Sequence, residues 1–227
     1  MIALAAVRRR VLRLLGWLLI AAAAVFALIG FLHTTRGTAV ERVRGVGADG
    51  PPVAVSEPAF PHTVALLTNT PLAGGHRIDI ALNGTGTYER LWHDLRSATV
   101  SITLQIYYGN VGAVADTLGR MLEERARAGV RVLVLYDAFG SQGIPPDRVD
   151  ALRAAGVLVA PFRPLRLATL HLAQNRSHVR GIVIDGRVGW TGGFGIDDKW
   201  LGDGRTNGSW RETNVRFEGP AVHQLEA

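Results

Sequence analysis

Residues 14–32 carry no charged side chain, and an uncharged run of 19 residues leaves the backbone few choices. Away from water every N–H and C=O must be satisfied inside the segment, which a helix does by itself. At roughly 1.5 Å per residue the run is about 29 Å long, enough to cross the hydrocarbon core of a bilayer. Trp17 and His33 stand near its two ends, where interfacial side chains are tolerated. The run exceeds the usual apolar length of a signal peptide, and no good small-x-small site follows it. It therefore reads as an uncleaved anchor rather than a cleaved leader or a buried core helix.

Arg8, Arg9, Arg10 and Arg13 precede the run and contribute +4 of the formal net charge of +6. A basic tag before an apolar span is a topology signal that keeps the N-terminus in the cytoplasm, so the rest of the chain is expected outside. Arg36, Arg42 and Arg44 follow the span and pull the other way. What remains after the tag is nearly neutral, so no nucleic-acid partner is expected. The chain has no cysteine, which excludes disulfides and thiolate metal sites. Its expected organisation is a basic N-terminus and anchor over 1–33, a Gly- and Pro-bearing linker over 34–61, and one domain over 62–227.

Within that domain, residues 62–83 read as short strands or loop. Tyr88, Leu91, Trp92 and Leu95 recur with helical spacing, and Val100, Ile102, Leu104 and Ile106 then alternate with Ser101, Thr103, Gln105 and Tyr107. The alternation predicts a strand with a polar face whose Gln105 and Tyr107 line a cleft or simply face solvent. Val114, Leu118, Met121 and Leu122 mark another helix, closed by Gly129. Residues 130–136 are apolar on both faces, as suits an interior parallel strand. Asp137 ends that strand and either caps the following loop or orients a catalytic group. A helix over 145–155 and a strand over 157–162 continue the alternation, which predicts an α/β sandwich with a mixed, largely parallel sheet. Three arginines and His171 precede the next strand, over 163–176. Asp197, Asp198 and Asp203 lie in a Gly-rich loop, but their spacing does not fit a calcium loop, so no metal is expected. Trp200 and Trp210 in that stretch contact acyl chains or pack.

Asp185-Gly186 separates two apolar runs and is a two-residue turn signal, because such turns need positive φ. Upstream, on the first strand of the hairpin expected over 175–195, His178 and Arg180 share a face, and an imidazole beside a fixed cation suits a phosphoryl group. Gly192 and Gly193 end the return strand, where the absence of Cβ atoms lets backbone approach a ligand. The spacing His178-x-Arg180-x4-Asp185-x6-Gly192-Gly193 resembles the HKD motif of the phospholipase D superfamily. The segment from Trp210-Arg211-Glu212-Thr213 to Glu218-Gly219-Pro220-Ala221-Val222 is similar to that of its cardiolipin synthase-like members. The resemblance covers roughly residues 85–227, with Arg180 where the family has Lys and Gly195 where it has Asn.

The resemblance implies a phospholipase D-like fold acting on phospholipid diesters through a phosphohistidine, without cofactor or metal. It implies that His178 is nucleophile or acid, that Arg180 clamps phosphate, and that Gly192 and Gly193 give close backbone approach. Asp185 or Glu212 is the implied carboxylate that orients the imidazole. One motif makes half a site, so a homodimer or a separate second half is expected to complete it. Because the family continues beyond the last residue of this sequence, the chain is expected to be a first half. A non-catalytic half-domain that binds anionic lipid is the alternative, and a nuclease is a weaker one.

Overall fold

A computed structural model describes residues 2–34, 53–167, 173, 175–206 and 208–226. Most of the expected linker and His171 lie outside the described residues. The chain divides into two units, residues 1–41 with 166–175, and residues 42–165 with 176–227. In the first, helix α1 (Ile2–Thr34) extends well ahead of the uncharged run and takes in the basic tag. Its stretch Val7–Leu32, with mean hydropathy 2.5, is long and apolar enough to cross a membrane.

The second unit is built on a seven-stranded sheet. Its elements are α2 (Phe60–Thr68), β1 (Arg77–Leu82), α3 (Asn83–Ser97), β2 (Ser101–Ile106), α4 (Ala113–Arg127), β3 (Arg131–Asp137) and α5 (Pro146–Ala154). They are followed by β4 (Leu158–Phe162), β5 (Gly181–Ile184), β6 (Val188–Gly192), β7 (Thr213–Glu218) and α6 (Ala221–Glu226). The spatial order of strands is β1-β7-β6-β5-β2-β3-β4. The sheet is mixed, as expected, but its parallel part is confined to β2, β3 and β4. The other four pairings are antiparallel, because the hairpin joins β2 head to tail and β7 and β1 then extend it. Helix–strand alternation predicts the first half of this sheet and says nothing of the second.

Alternation also decides the faces. Ile102, Leu104 and Ile106 are buried while Ser101, Thr103 and Gln105 are half-exposed. The buried set packs with Leu91 and Leu95 of α3, Leu118 and Leu122 of α4, and Ile182 and Trp190 of the hairpin. On the other face α6 lies over the hairpin, where Leu225 meets the backbone of Gly181. Trp190 is fully buried and donates its indole N–H to Asp94 at 2.7 Å. The same carboxylate accepts from Arg216 Nε at 2.7 Å and Nη2 at 3.2 Å, joining α3, β6 and β7 through one acid. That pairing raises the Arg216 pKa well above its ordinary value.

Two local departures have physical causes. Residues 60–68 form α2 where loop or strand is expected; no residue of this helix is buried, so no apolar stripe marks it in the sequence. At the hairpin, Asp185 and Gly186 take positive φ as the turn signal requires, at 52° and 63°. Arg187 also lies outside the ladder, since Ile184 pairs with Val188, and the connection is three residues long rather than two. The turn is closed by Arg187 N–H donating to Ile184 C=O at 3.0 Å.

Candidate active site

His178 and Arg180 lie on the irregular chain just ahead of β5, beside the carboxyl end of β2. The His178 side chain is exposed, and its ring meets that of Tyr107 with centroids 4.0 Å apart and planes at 61°. Gln105, one turn of the pleat back, donates to Ser177 Oγ at 2.6 Å. Gln105 and Tyr107, just past the end of β2, therefore meet the segment that carries His178.

Arg180 is half-buried and donates through Nη1 to the carbonyl of Gly193. Its Nε is buried and has no hydrogen-bond partner among the described residues. Burial lowers the guanidinium pKa, while Glu212 and then Tyr107 act to raise it. Glu212 is thus an electrostatic neighbour of Arg180, and it is held there from behind. Asn83, at φ 54°, accepts from Glu212 N–H at 2.9 Å and donates its own N–H to Glu212 C=O at 2.8 Å. Sequence reasoning misses Asn83, which carries no signal apart from its tolerance of the left-handed region.

The two glycines serve a different neighbour from the one expected. A Cβ at Gly193 would overlap the Glu212 carboxylate, and one at Gly192 would overlap the side-chain oxygen of Asn214. Close approach is real here, but what approaches is protein. Asn214 is buried, donates to Thr87 Oγ1 at 2.9 Å and accepts from Phe194 N–H at 3.3 Å.

Asp185 is not the carboxylate that orients His178. Its oxygens accept from the N–H groups of Thr99, Val100 and Ser101 and from Thr99 Oγ1, at 2.8–3.2 Å. Those donors sit just ahead of β2 and at its first residue, whereas His178 lies past its far end, about 20 Å away at roughly 3.3 Å per residue. Burial alone would raise the Asp185 pKa, but hydrogen bonds from Ser101, Thr99 and Val100 outweigh it and hold the carboxyl below its usual range. A carboxylate depressed in the fold contributes stability above its unfolded pKa, about 3.9, and loses it as pH falls through the lower folded value. Asp185→Asn is expected to remove that part of the acid dependence, measured as urea midpoints between pH 6 and pH 2.

The acidic loop is also answered internally. Asp198 accepts from Ala113 and Val114 N–H at 3.0 and 2.9 Å and so caps α4, while Asp197 accepts from Lys199 N–H and Asn110 Nδ2. Trp200 is buried and Trp210 exposed, and the Lys199 ammonium lies over Tyr108, Trp210 and Trp200 at 3.9, 4.4 and 5.1 Å from their centroids. Trp200 backs directly onto Gly195, so the space an Asn would need there is taken by an indole. Gly195→Asn is therefore expected to cost about 1–3 kcal/mol of stability through overpacking. Denaturant unfolding of the variant checks it; a neutral result would mean that Trp200 swings clear.

The chain is 39% identical over 183 residues to a cardiolipin synthase of Geobacillus kaustophilus, an alignment covering 77% of this chain and 36% of that protein. Over that stretch the chain is cardiolipin synthase-like. The major cardiolipin synthase ClsA of Bacillus subtilis is 35% identical over 150 residues, 66% of this chain and 31% of that one. The chain thus spans about a third of the length of the curated relatives it matches. No family model matches it. Among solved structures, NucT from Helicobacter pylori shares the fold at TM-score 0.53 and 12% identity, covering 67% of this chain and 92% of that one.

Proposed function

We propose that this cardiolipin synthase-like chain is a membrane-anchored phosphatidyltransferase or phosphodiesterase half that acts on phospholipid diesters. The observation that carries the reading is the grouping of an exposed imidazole, a half-buried guanidinium with an unused buried donor, and a carboxylate at one end of the sheet. In the proposed reaction a ring nitrogen of His178 attacks phosphorus while the bond to the leaving alcohol breaks. A histidine from a second copy or a second half protonates that alcohol. An acceptor hydroxyl then attacks the phosphohistidine, gives its proton to that second histidine, and releases His178. Arg180 stabilises the charge that develops on the non-bridging oxygens, and Glu212 keeps the guanidinium in place. The basic tag in the first part of α1 favours a cytoplasmic N-terminus with the domain outside the membrane.

The test is incubation of the purified protein with phosphatidylglycerol vesicles, alone and with a separately supplied second half if turnover needs one. Cardiolipin or phosphatidic acid is the expected product; neither, under both conditions, would count against catalysis. The non-catalytic reading is favoured by two residues, Arg180 in place of Lys and Gly195 in place of Asn. It expects binding to anionic vesicles that survives His178→Ala, with no acid-labile phosphate on the protein.

A further inference from the structure

Asp137 is fully buried at the end of β3, and its two oxygens face different parts of the same site. Oδ1 accepts from Phe139 and Gly140 N–H, both at 2.9 Å, and so shapes the turn that leaves the strand. Oδ2 accepts from Ser177 N–H at 3.1 Å, the backbone group immediately before His178. Arg176, itself mostly buried, brings Nη1 to 3.6 Å from Oδ1 and donates to the carbonyl of Arg163 at 3.0 Å.

The turn made by the first oxygen presses on the residue that His178 touches. Ser141 Oγ donates to the Tyr107 carbonyl at 3.0 Å, and a Cβ at Gly140 would run into that carbonyl and the Tyr107 ring. One carboxylate therefore fixes Tyr107 through the turn and the His178 backbone through Ser177. The exposed imidazole touches one ring, and both that ring's residue and the backbone ahead of the imidazole connect to a buried acid two strands away in the sheet.

We propose that Asp137, with Arg176 beside it, is a positioning pair that registers the His178 imidazole against Tyr107. The assignment rests on the reading of His178 as the reacting group, but the geometry it describes exists whether or not the chain turns over. Asp137→Asn keeps the size and one acceptor while removing the charge and weakening the hold on Ser177.

The experiment is histidine-selective NMR of the full chain in detergent micelles, with the His178 signals assigned by their loss in His178→Ala. In the wild type the His178 ring protons are displaced from their unstructured positions by the Tyr107 ring. In Asp137→Asn most of that displacement is expected to vanish, while the indole N–H of Trp190, buried against Asp94, stays where it is. Asp150→Asn, which breaks only an exposed pair with Arg153, is the matched control and leaves both signals in place. Should Asp137→Asn fail to fold, Arg176→Gln is expected to reduce the displacement by a smaller amount. Unchanged His178 signals in a folded variant of either residue would overturn the proposal. Since the readout needs no turnover, a chain inactive on phosphatidylglycerol can still pass this test, and an active one can still fail it.

Discussion

His178→Ala is expected to lower phosphodiester turnover on the order of 10⁴-fold, because in the proposed reaction it removes the group that bonds to phosphorus. The side chain is exposed and its contact is with one ring, so the same substitution is expected to shift stability by no more than about 0.5 kcal/mol. Steady-state product formation from phosphatidylglycerol, paired with a denaturation curve, measures both. A variant that keeps most of its turnover would place the nucleophile elsewhere in the site. One that loses turnover only because it unfolds would say nothing of chemistry, which is why the two measurements belong together.

Asp94→Ala carries the largest expected loss of stability, about 3–5 kcal/mol. Truncation leaves the buried Trp190 indole N–H without its acceptor and takes two hydrogen bonds from the Arg216 guanidinium. Arg216 keeps Glu218 at 2.6 Å and Asp79 at 3.8 Å, so the cost falls toward the lower end of that range. Asp94→Asn retains one acceptor and is expected to lie between the variant and the wild type. Urea midpoints order the three proteins; a loss below about 1 kcal/mol for the alanine would show that packing, not this network, joins α3 to β6 and β7.

The residues that announce themselves in the sequence are those whose signal is local. The alternation from Ile102 to Tyr107 gives both the buried face of β2 and the polar side chains at its end. Asp185 announces a turn, and the turn is there, but its carboxylate reaches back to Thr99, Val100 and Ser101, which are distant in sequence. A motif spacing cannot distinguish an acid that orients an imidazole from one that ties two strands together. Glu212 stands out only by resemblance, and its anchor Asn83 not at all, because a bond between residues 83 and 212 leaves no trace in either segment. Asp137 is legible as the end of a strand. That one of its oxygens serves the loop and the other serves Ser177 depends on β3 and the residues before β5 converging, which only the sheet order reveals.

The pairing of β1 with β7 has a consequence for how the molecule is made. Arg77 is matched to Glu218, so the first strand to leave the ribosome finds its neighbour only when the last one arrives. Until then Ile78, Ile80 and Leu82, which remain largely uncovered even in the finished sheet, belong to a ribbon with two open edges. Late closure of so wide a loop slows folding and lengthens the time a nascent chain is vulnerable to self-association.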